Sequence, residues 1–596
     1  MSLIYQVCRT WQFLALDGQL WSTLGGSPNF PPNLLSRISQ IAGPFVTSLQ
    51  LEGISTLGSD DLVAITKNIS TIAHPVQAFS PQAHSHLPVS SVHPVDRWQT
   101  NLTDVSLKGL TNLTTRGLIK FLTSCPTLEY LCLRGLDAVT NTTCIIIGDS
   151  NPQLRALDLG RCPNMDAFGV TFLCEAVERR KRSASCLGEG VLGMESESAV
   201  GDGTAFRCLQ VSGLKRVSEW VMTSVAQAFP NLEVLDLSYS NGLTDSCLEK
   251  FVEWREDAND MFRSSAGNGY VQLTSREVGL DPADRTMYKR RVTKLRHLNL
   301  SYCLSLTDRA CSALAFAVPT LELLELAGIG ANLEDGGLVQ LLKTVPYIRK
   351  LDLEDAARIT DEVLTTITPT SSSRSSAAIP IASYGNRAFM TGAGAVVLPQ
   401  PGEHLEELVI SYAALLTPEA INSLMQACPR LRRLDADNTR ISDETIRLFV
   451  ELTRKRGLKE AGIVAIDCAG VSRTVVDNLA GGGETRPRYG FRSWEATSTG
   501  LGYADARDGD DVSIGDGEGL DECDESKVVV KTFRSWQIVD KWLGERQKRR
   551  KVRAGAEVAV LQGKVGRWFG RRSNSASGTT TPGLGVDDDD RGCIIM

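Results

Sequence analysis

Residues 295–308 read Leu295-Arg296-His297-Leu298-Asn299-Leu300-Ser301-Tyr302-Cys303-Leu304-Ser305-Leu306-Thr307-Asp308. The Leu298-x-Leu300 alternation predicts a short strand with one buried face. Thr307 and Asp308 then offer a hydroxyl and a carboxylate to the unpaired amides of a helix's first turn. Leu314 and Val318 continue at helical spacing, and Val318-Pro319 ends the helix, because proline lacks an amide hydrogen and clashes with the preceding turn. Such a strand–turn–helix unit cannot bury its apolar face alone, so units must stack.

The pattern recurs through the chain. Leu-x-x-Leu-x-Leu fits Leu102/Val105/Leu107, Leu128/Leu131/Leu133 and Leu154/Leu157/Leu159 in steps of 26 residues, then Phe206/Leu209/Val211 and Leu232/Leu235/Leu237 with the same step. It continues at Leu321/Leu324/Leu326, Ile348/Leu351/Leu353, Leu405/Leu408/Ile410 and, more weakly, Leu431/Leu434. Val46/Leu49/Leu51 is an upstream copy, and Val464 with Ile466 is expected in a capping repeat. Thr244-Asp245, Thr360-Asp361 and Ser442-Asp443 repeat the helix start, while Cys125-Pro126, Phe229-Pro230 and Cys428-Pro429 repeat the stop. Over residues 44–480 the chain resembles the cysteine-containing class of leucine-rich repeats, which implies an α/β solenoid. Residues near 74–100, 180–204, 254–291 and 369–402 break the pattern and are expected as disordered surface loops, since loop-closure entropy grows slowly with length.

Composition agrees with a large stacked core. The chain has 596 residues, 42% hydrophobic and 22% charged, and its net charge of −7 argues against nucleic-acid binding by the chain as a whole. There is no run of 18 apolar residues and no secretory signal at Met1–Tyr5. Fifteen cysteines, an odd number scattered within apolar patterns, read as reduced thiols. The sequons at Asn68, Asn101, Asn112 and Asn141 read as chance.

In such a solenoid the residues beside the strand leucines face inward. Asp158, Gln210, Asp236, Asn299, Glu325, Asp352 and Asp435 occupy one such position, Glu354 and Asp437 lie further along, and Tyr239, Tyr302 and Tyr412 share a third. Carboxylates interleaved with tyrosines make either a binding surface for a basic or polar segment or merely the solvated side that any strand needs.

At the N-terminus, Val7-Cys8-Arg9-Thr10-Trp11 followed by Leu14-Ala15-Leu16-Asp17 and Leu20-Trp21 resembles the C-terminal half of an F-box. Val7, Trp11 and Leu14 fall on one helical face. The alternative is a hydrophobic cap for the solenoid. Placed before leucine-rich repeats, the motif resembles the F-box/leucine-rich-repeat substrate receptors of cullin–RING ubiquitin ligases. The resemblance implies that Val7, Cys8, Trp11, Leu14, Leu20 and Trp21 contact a Skp adaptor, and through it a cullin. The Leu-Pro segment and earlier helix of that module are not present, so residues 1–25 form a partial F-box.

Residues 481–592 are expected to be a disordered tail. Leu501–Ser526 carries ten acids and one arginine, too polar to order itself. Trp536, Val539 and Leu543 are spaced as on a short amphipathic helix. Arg546–Arg572 carries ten Lys/Arg and one Glu with Trp568 and Phe569 among them, a composition suited to an anionic membrane surface, with nucleic acid as the competing reading. The terminal Cys593-Ile594-Ile595-Met596 is a prenylation motif for Cys593, and it favours the membrane. One lipid chain anchors marginally, and the basic stretch supplies a second signal. Prenylation implies a cytoplasmic protein held peripherally on the cytosolic face of a membrane.

No phosphate-binding loop, His-Glu-x-x-His or Cys-x-x-Cys is present, and the six histidines do not suggest a triad or a metal site. The sequence therefore predicts a non-catalytic receptor without cofactor or metal. Its solenoid would hold a protein substrate for an SCF-type ubiquitin ligase, or serve as a prenylated scaffold without a ligase role.

Overall fold

In a computed structural model, residues 17–26, 32–73, 97–188, 205–254, 269–278, 285–370, 399–472, 474–480, 484–487, 528–532 and 535–539 are described. The chain divides into two units, Met1–Leu479 with Arg486–Ile538, and Ala480–Thr485 with Val539–Met596. The strands and helices described below belong to the first, apart from Ala480, Glu484, Thr485 and Val539, which fall in the second.

Its strands in chain order are β1 (Thr23–Gly25), β2 (Ser48–Gln50), β3 (Ser70–Ala73), β4 (Arg97–Thr100), β5 (Asp104–Ser106), β6 (Tyr130–Cys132), β7 (Ala156–Asp158), β8 (Cys208–Gln210), β9 (Val234–Asp236), β10 (Tyr270–Thr274) and β11 (Met287–Arg291). There follow β12 (His297–Asn299), β13 (Leu323–Glu325), β14 (Lys350–Asp352), β15 (Glu407–Val409), β16 (Arg433–Asp435), β17 (Gly462–Val464), β18 (Glu484–Pro487), β19 (Val529–Lys531) and β20 (Ser535–Val539). One sheet of 16 strands runs β1-β2-β5-β6-β7-β8-β9-β12-β13-β14-β15-β16-β17-β19-β20-β18. From β1 to β19 the pairing is parallel. The second leucine of each template copy stands in register with the next: Leu235 beside Leu298, Leu298 beside Leu324, Leu351 beside Leu408. These side chains are fully buried under the returning helices, and deleting one to alanine typically costs about 2–5 kcal/mol.

The cysteines explain part of the repeat. Cys162, Cys303 and Cys468 each donate their thiol to a strand-end carbonyl of the preceding repeat, that of Leu133, Leu237 and Ala436, at 3.2, 3.2 and 3.1 Å. Eleven of the described cysteines are free thiols, and burial pushes Cys303 and Cys428 up to about 12. The four sequon asparagines are occupied as well. The amide of Asn68 donates to Ser36, that of Asn101 to Pro44, that of Asn112 to Ser55 and that of Asn141 to Asp166.

Several expectations are corrected. The sheet begins at Thr23, inside the segment read as F-box and well before residue 44, with Leu24 buried in register with Leu49. The capping repeat aligns Ile463 with Leu434, so Ile463 takes the leucine slot between Gly462 and Val464. Residues 97–100, expected in a disordered loop, pair with Ser70–Ala73 as an antiparallel hairpin. The helix Ala167–Gly188 runs eight residues past the start of the insertion placed at 180. The charged stretch 254–291 contains a second hairpin, β10–β11, with Val271 and Leu273 wholly buried. Arg290 of that hairpin donates to the carbonyls of Ser312 and Ala315, and Arg291 to those of Ala226 and Phe251, so two consecutive guanidiniums satisfy the last carbonyls of three helices. Beyond residue 480, Val529–Lys531 extends the sheet beside β17 and turns back into β20, so Ser535–Val539 is a strand and not the amphipathic helix expected around Trp536. The acidic block 501–526, the basic block 546–572, Leu543 and Cys593 lie outside the described residues.

Candidate functional site: the inner face and its rim

Three residues beyond the end of each sheet strand from β2 to β17 the chain turns sharply into its helix, and one residue takes the left-handed conformation. Glycine fills that slot at Gly53, Gly109, Gly135, Gly213 and Gly328. The other copies force side chains into it: Arg161, Tyr239, Tyr302, Asp355, Tyr412, Asn438 and Asp467, at φ of 52 to 65°. An L-residue there costs roughly 1 kcal/mol or more. The turn persists because the slot's amide donates to the next strand's end, as Tyr302 does to Ala327 at 2.6 Å and Tyr412 to Asp437 at 2.8 Å.

The tyrosines so placed are exposed, Tyr239 at 42%, Tyr302 at 39% and Tyr412 at 48%. Tyr239 and Tyr302 stack, ring centroids 4.6 Å apart and 10° from parallel. The Arg161 guanidinium lies 5.4 Å from the Tyr239 centroid. Glycine makes room for this row: a side chain at Gly328 would collide with the Tyr302 ring. Phe168 and Trp220, equivalent residues at the starts of two successive helices, add exposed aromatics along the same edge.

The Asp and Asn residues that end the strands have a different role. Asp158 accepts the amide of Gly160 at 2.8 Å, Asp236 that of Ser238 at 2.9 Å, Asn299 that of Ser301 at 3.0 Å and Asp352 that of Glu354 at 3.1 Å. A three-residue strand leaves that amide without a ladder partner, and the Asx side chain satisfies it. These four therefore build the turn, and Asp236 and Asn299 are buried. Glu325 accepts from Lys350 at 2.8 Å and from Asn299 at 2.6 Å, with His297 Nε2 at 3.6 Å, an ion-pair distance. Burial opposes ionisation there, but His297 and Lys350 outweigh it and hold Glu325 at about 2. Burial raises Asp352 to about 6, and burial with Asp437, Asp352 and Glu407 nearby raises Asp435 to about 7. Glu354 stays half-exposed, raised by partial burial and by Asp355 and Asp437. Of the predicted inner-face residues, then, Tyr239, Tyr302, Tyr412 and Glu354 are presented outward, whereas Asp158, Asp236, Asn299, Glu325 and Asp352 are engaged within the solenoid.

Two features went unread in the sequence. The left-handed slot was one; five glycines at the tyrosine position were its signal. The other is a charge ladder along the strand starts, where Glu129, Arg155, Arg207, Glu233, Arg296, Glu322, Arg349, Glu406 and Arg432 occupy one position in successive repeats. Arg349 reaches both Glu322 at 3.6 Å and Glu406 at 2.9 Å, and Arg432 reaches Glu406, Glu407 and Glu460 at 3.3, 3.5 and 2.8 Å.

Of the residues read as adaptor contacts, Leu20 ends a single 3-10 turn and is 65% exposed, while Trp21 is partly buried against the core. Val7, Cys8, Trp11 and Leu14 lie outside the described residues. Among the described residues no three His, Cys, Asp or Glu side chains converge to hold a metal ion, and no helix is long and apolar enough to cross a membrane.

A parallel sheet in leucine register, helices between the strands and a left-handed turn in twelve successive units define a leucine-rich-repeat solenoid. The leucine-rich-repeat family model matches residues 293–315, the strand and helix around Tyr302. Among solved structures the chain is similar to the yeast Rad7–Elc1 complex, at 15% identity over 80% of this chain and 94% of that one, with a TM-score of 0.40. No curated protein matches the chain.

Proposed function

We propose that the chain is a non-catalytic substrate receptor of an SCF-type ubiquitin ligase, with the solenoid's inner rim as the surface that binds the target protein. The observation that carries the binding role is the row Arg161–Tyr239–Tyr302 with Tyr412 beyond it. Exposed tyrosines and arginine dominate protein interfaces, and here they are held at a turn where glycine would be less strained. The ligase role rests on the F-box-like residues Val7, Cys8, Trp11, Leu14, Leu20 and Trp21. Val7, Trp11 and Leu14 are spaced in sequence as on one helical face, Leu20 stands out from the solenoid's first repeat, and a Skp adaptor with its cullin is the partner they fit. A target held on the rim then meets ubiquitin-charged enzyme at high effective concentration. Farnesyl on Cys593 and the basic stretch Arg546–Arg572 would tether the receptor to an anionic, cytosolic membrane surface; phosphate-rich nucleic acid is not a partner in this reading. The competing reading is a prenylated scaffold without ligase role.

A pull-down of the full chain on purified Skp adaptor separates them. Capture that is lost in Trp11→Ala and Leu20→Ala, with Tyr412→Gly still captured, supports the receptor. Absence of capture by a correctly folded chain leaves the scaffold. Trp21 is a poor choice for this test, because its ring also packs against the core.

A further inference from the structure

The solenoid pairs its strand-start carboxylates systematically: Glu322, Glu406, Glu407 and Glu460 each meet one or more arginines. Glu354 and Asp355 lie at the opposite end, just past β14. Among the described residues no cation pairs with either, and Asp437, two residues past the end of β16 and itself near Lys531, brings a third carboxylate to the same stretch of the rim. Aromatic rings flank them. The Tyr302 ring lies over Gly328, which occupies the slot beside Asp355 on one side, and Tyr412 occupies the slot on the other. Three strand spacings, about 14 Å, separate the Tyr302 slot after β12 from the Tyr412 slot after β15, and the Tyr302 ring leans over Gly328 into that interval.

We propose that this stretch of rim grips a linear, basic segment of a partner protein, seating a lysine or arginine side chain over Glu354 between the rings of Tyr302 and Tyr412. The proposal rests on the reading of the rim as a protein-binding surface and names the chemistry of what it binds. A cation there gains the Tyr302 ring, which lies close enough to feel Glu354, and neutralises carboxylates that now repel one another; partial burial and that mutual repulsion already raise Glu354 above the usual carboxylate range. The same acids repel phosphate, which disfavours nucleic acid and an anionic bilayer as occupants of this stretch. A chelated metal does not fit either, because these side chains do not converge. Leu304 and Leu415, both exposed, lie just beyond Tyr302 and Tyr412 and suit apolar residues flanking the cation.

The test is selection of a displayed library of random twelve-residue peptides on the purified full chain, followed by affinity measurement on a synthetic peptide of the selected sequence. Selected peptides should share a lysine or arginine with apolar neighbours. Glu354→Lys should weaken binding at least about tenfold and Glu354→Gln less, with weakening also as salt rises. On the Glu354→Lys chain, a peptide with its cation changed to glutamate should recover affinity; recovery excludes misfolding as the cause of the loss. Acidic or uncharged selected peptides, affinity indifferent to Glu354 and Tyr412, or self-association of the chain through this face would overturn the proposal. So would failure to enrich any peptide, while capture by the Skp adaptor still decides the receptor reading separately.

Discussion

Asp361 accepts two hydrogen bonds from Thr417, its Oδ1 from the backbone amide at 2.8 Å and its Oδ2 from the hydroxyl at 2.7 Å, although 56 residues separate them. Thr417 is the N-cap of its own helix and accepts the amide of Ala420, while Asp361 is the first residue of the preceding repeat's helix. Asp245 clamps Thr307 in the same way across 62 residues, Asp335 clamps Thr360, and Asp443 clamps Ser472. Two of these clamps bridge the repeats flanking long insertions, so the helix starts stay in phase whatever length of chain lies between.

Thr417→Val should remove both the clamp's hydroxyl bond and the helix cap, and lower unfolding free energy by about 1–2 kcal/mol. Asp361→Asn should cost less. In a double-mutant cycle by urea unfolding, the two losses should be clearly less than additive; strict additivity would show the pair to be uncoupled.

Stability should depend on pH with opposite signs at two places. Asp435 and Asp352 titrate near 7 and 6 in the fold against about 4 when unfolded. The folded chain holds those protons more tightly, so their contribution is complete below about pH 4 and disappears as pH rises through 6 and 7. Glu325, held at about 2, contributes above about pH 4.3 and loses that contribution as pH falls toward 2. The melting temperature should therefore decline from pH 6 to pH 8. Asp435→Asn should melt above the parent at pH 8 and no higher at pH 5; a lower melting point at pH 8 contradicts the assignment.

Tyr412→Gly should separate function from stability. Glycine adopts φ of 65° without the steric cost that tyrosine bears there, so unfolding free energy should stay within about 1 kcal/mol of the parent. Affinity for a rim ligand should fall at the same time. Tyr412→Ala keeps the unfavourable backbone and should be the less stable of the two.

Arg291 is half-buried, and desolvation of its guanidinium lowers it to about 10, still a cation at neutral pH. Arg291→Met should destabilise by about 2–3 kcal/mol, since it leaves the carbonyls of Ala226 and Phe251 unsatisfied. In the parent chain, hydrogen exchange should show the amides of β10 and β11 protected. Exchange there at the rate of a free peptide would return the hairpin to the status of a loop.

The repeat was legible because each leucine obeys the same register for the same reason, burial under the next helix. The hairpins were not: Tyr270-Val271-Gln272-Leu273-Thr274 alternates over only five residues and sits among charges, so composition outweighed period. Asp158, Asp236 and Asn299 looked like ligands because a turn-forming Asx and a binding one look alike in sequence; only the orphaned amide two residues on tells them apart. Tyr302 and Tyr412 were found by their shared position, but the conformation that sets them out lay in the glycines of other copies. Ile463 was passed over because the template there had lost its first leucine.

The leucine pattern fades near residue 480, but β19 arrives from residues 529–531 to lie along β17. A protein cut where the repeats end would keep every template leucine and lose that strand, baring a row of unpaired amides and carbonyls on β17. Such an edge recruits strands from other molecules. The boundary that matters to anyone expressing the solenoid is thus drawn by hydrogen bonding and lies past residue 531, and a shorter chain should be aggregation-prone with its core intact.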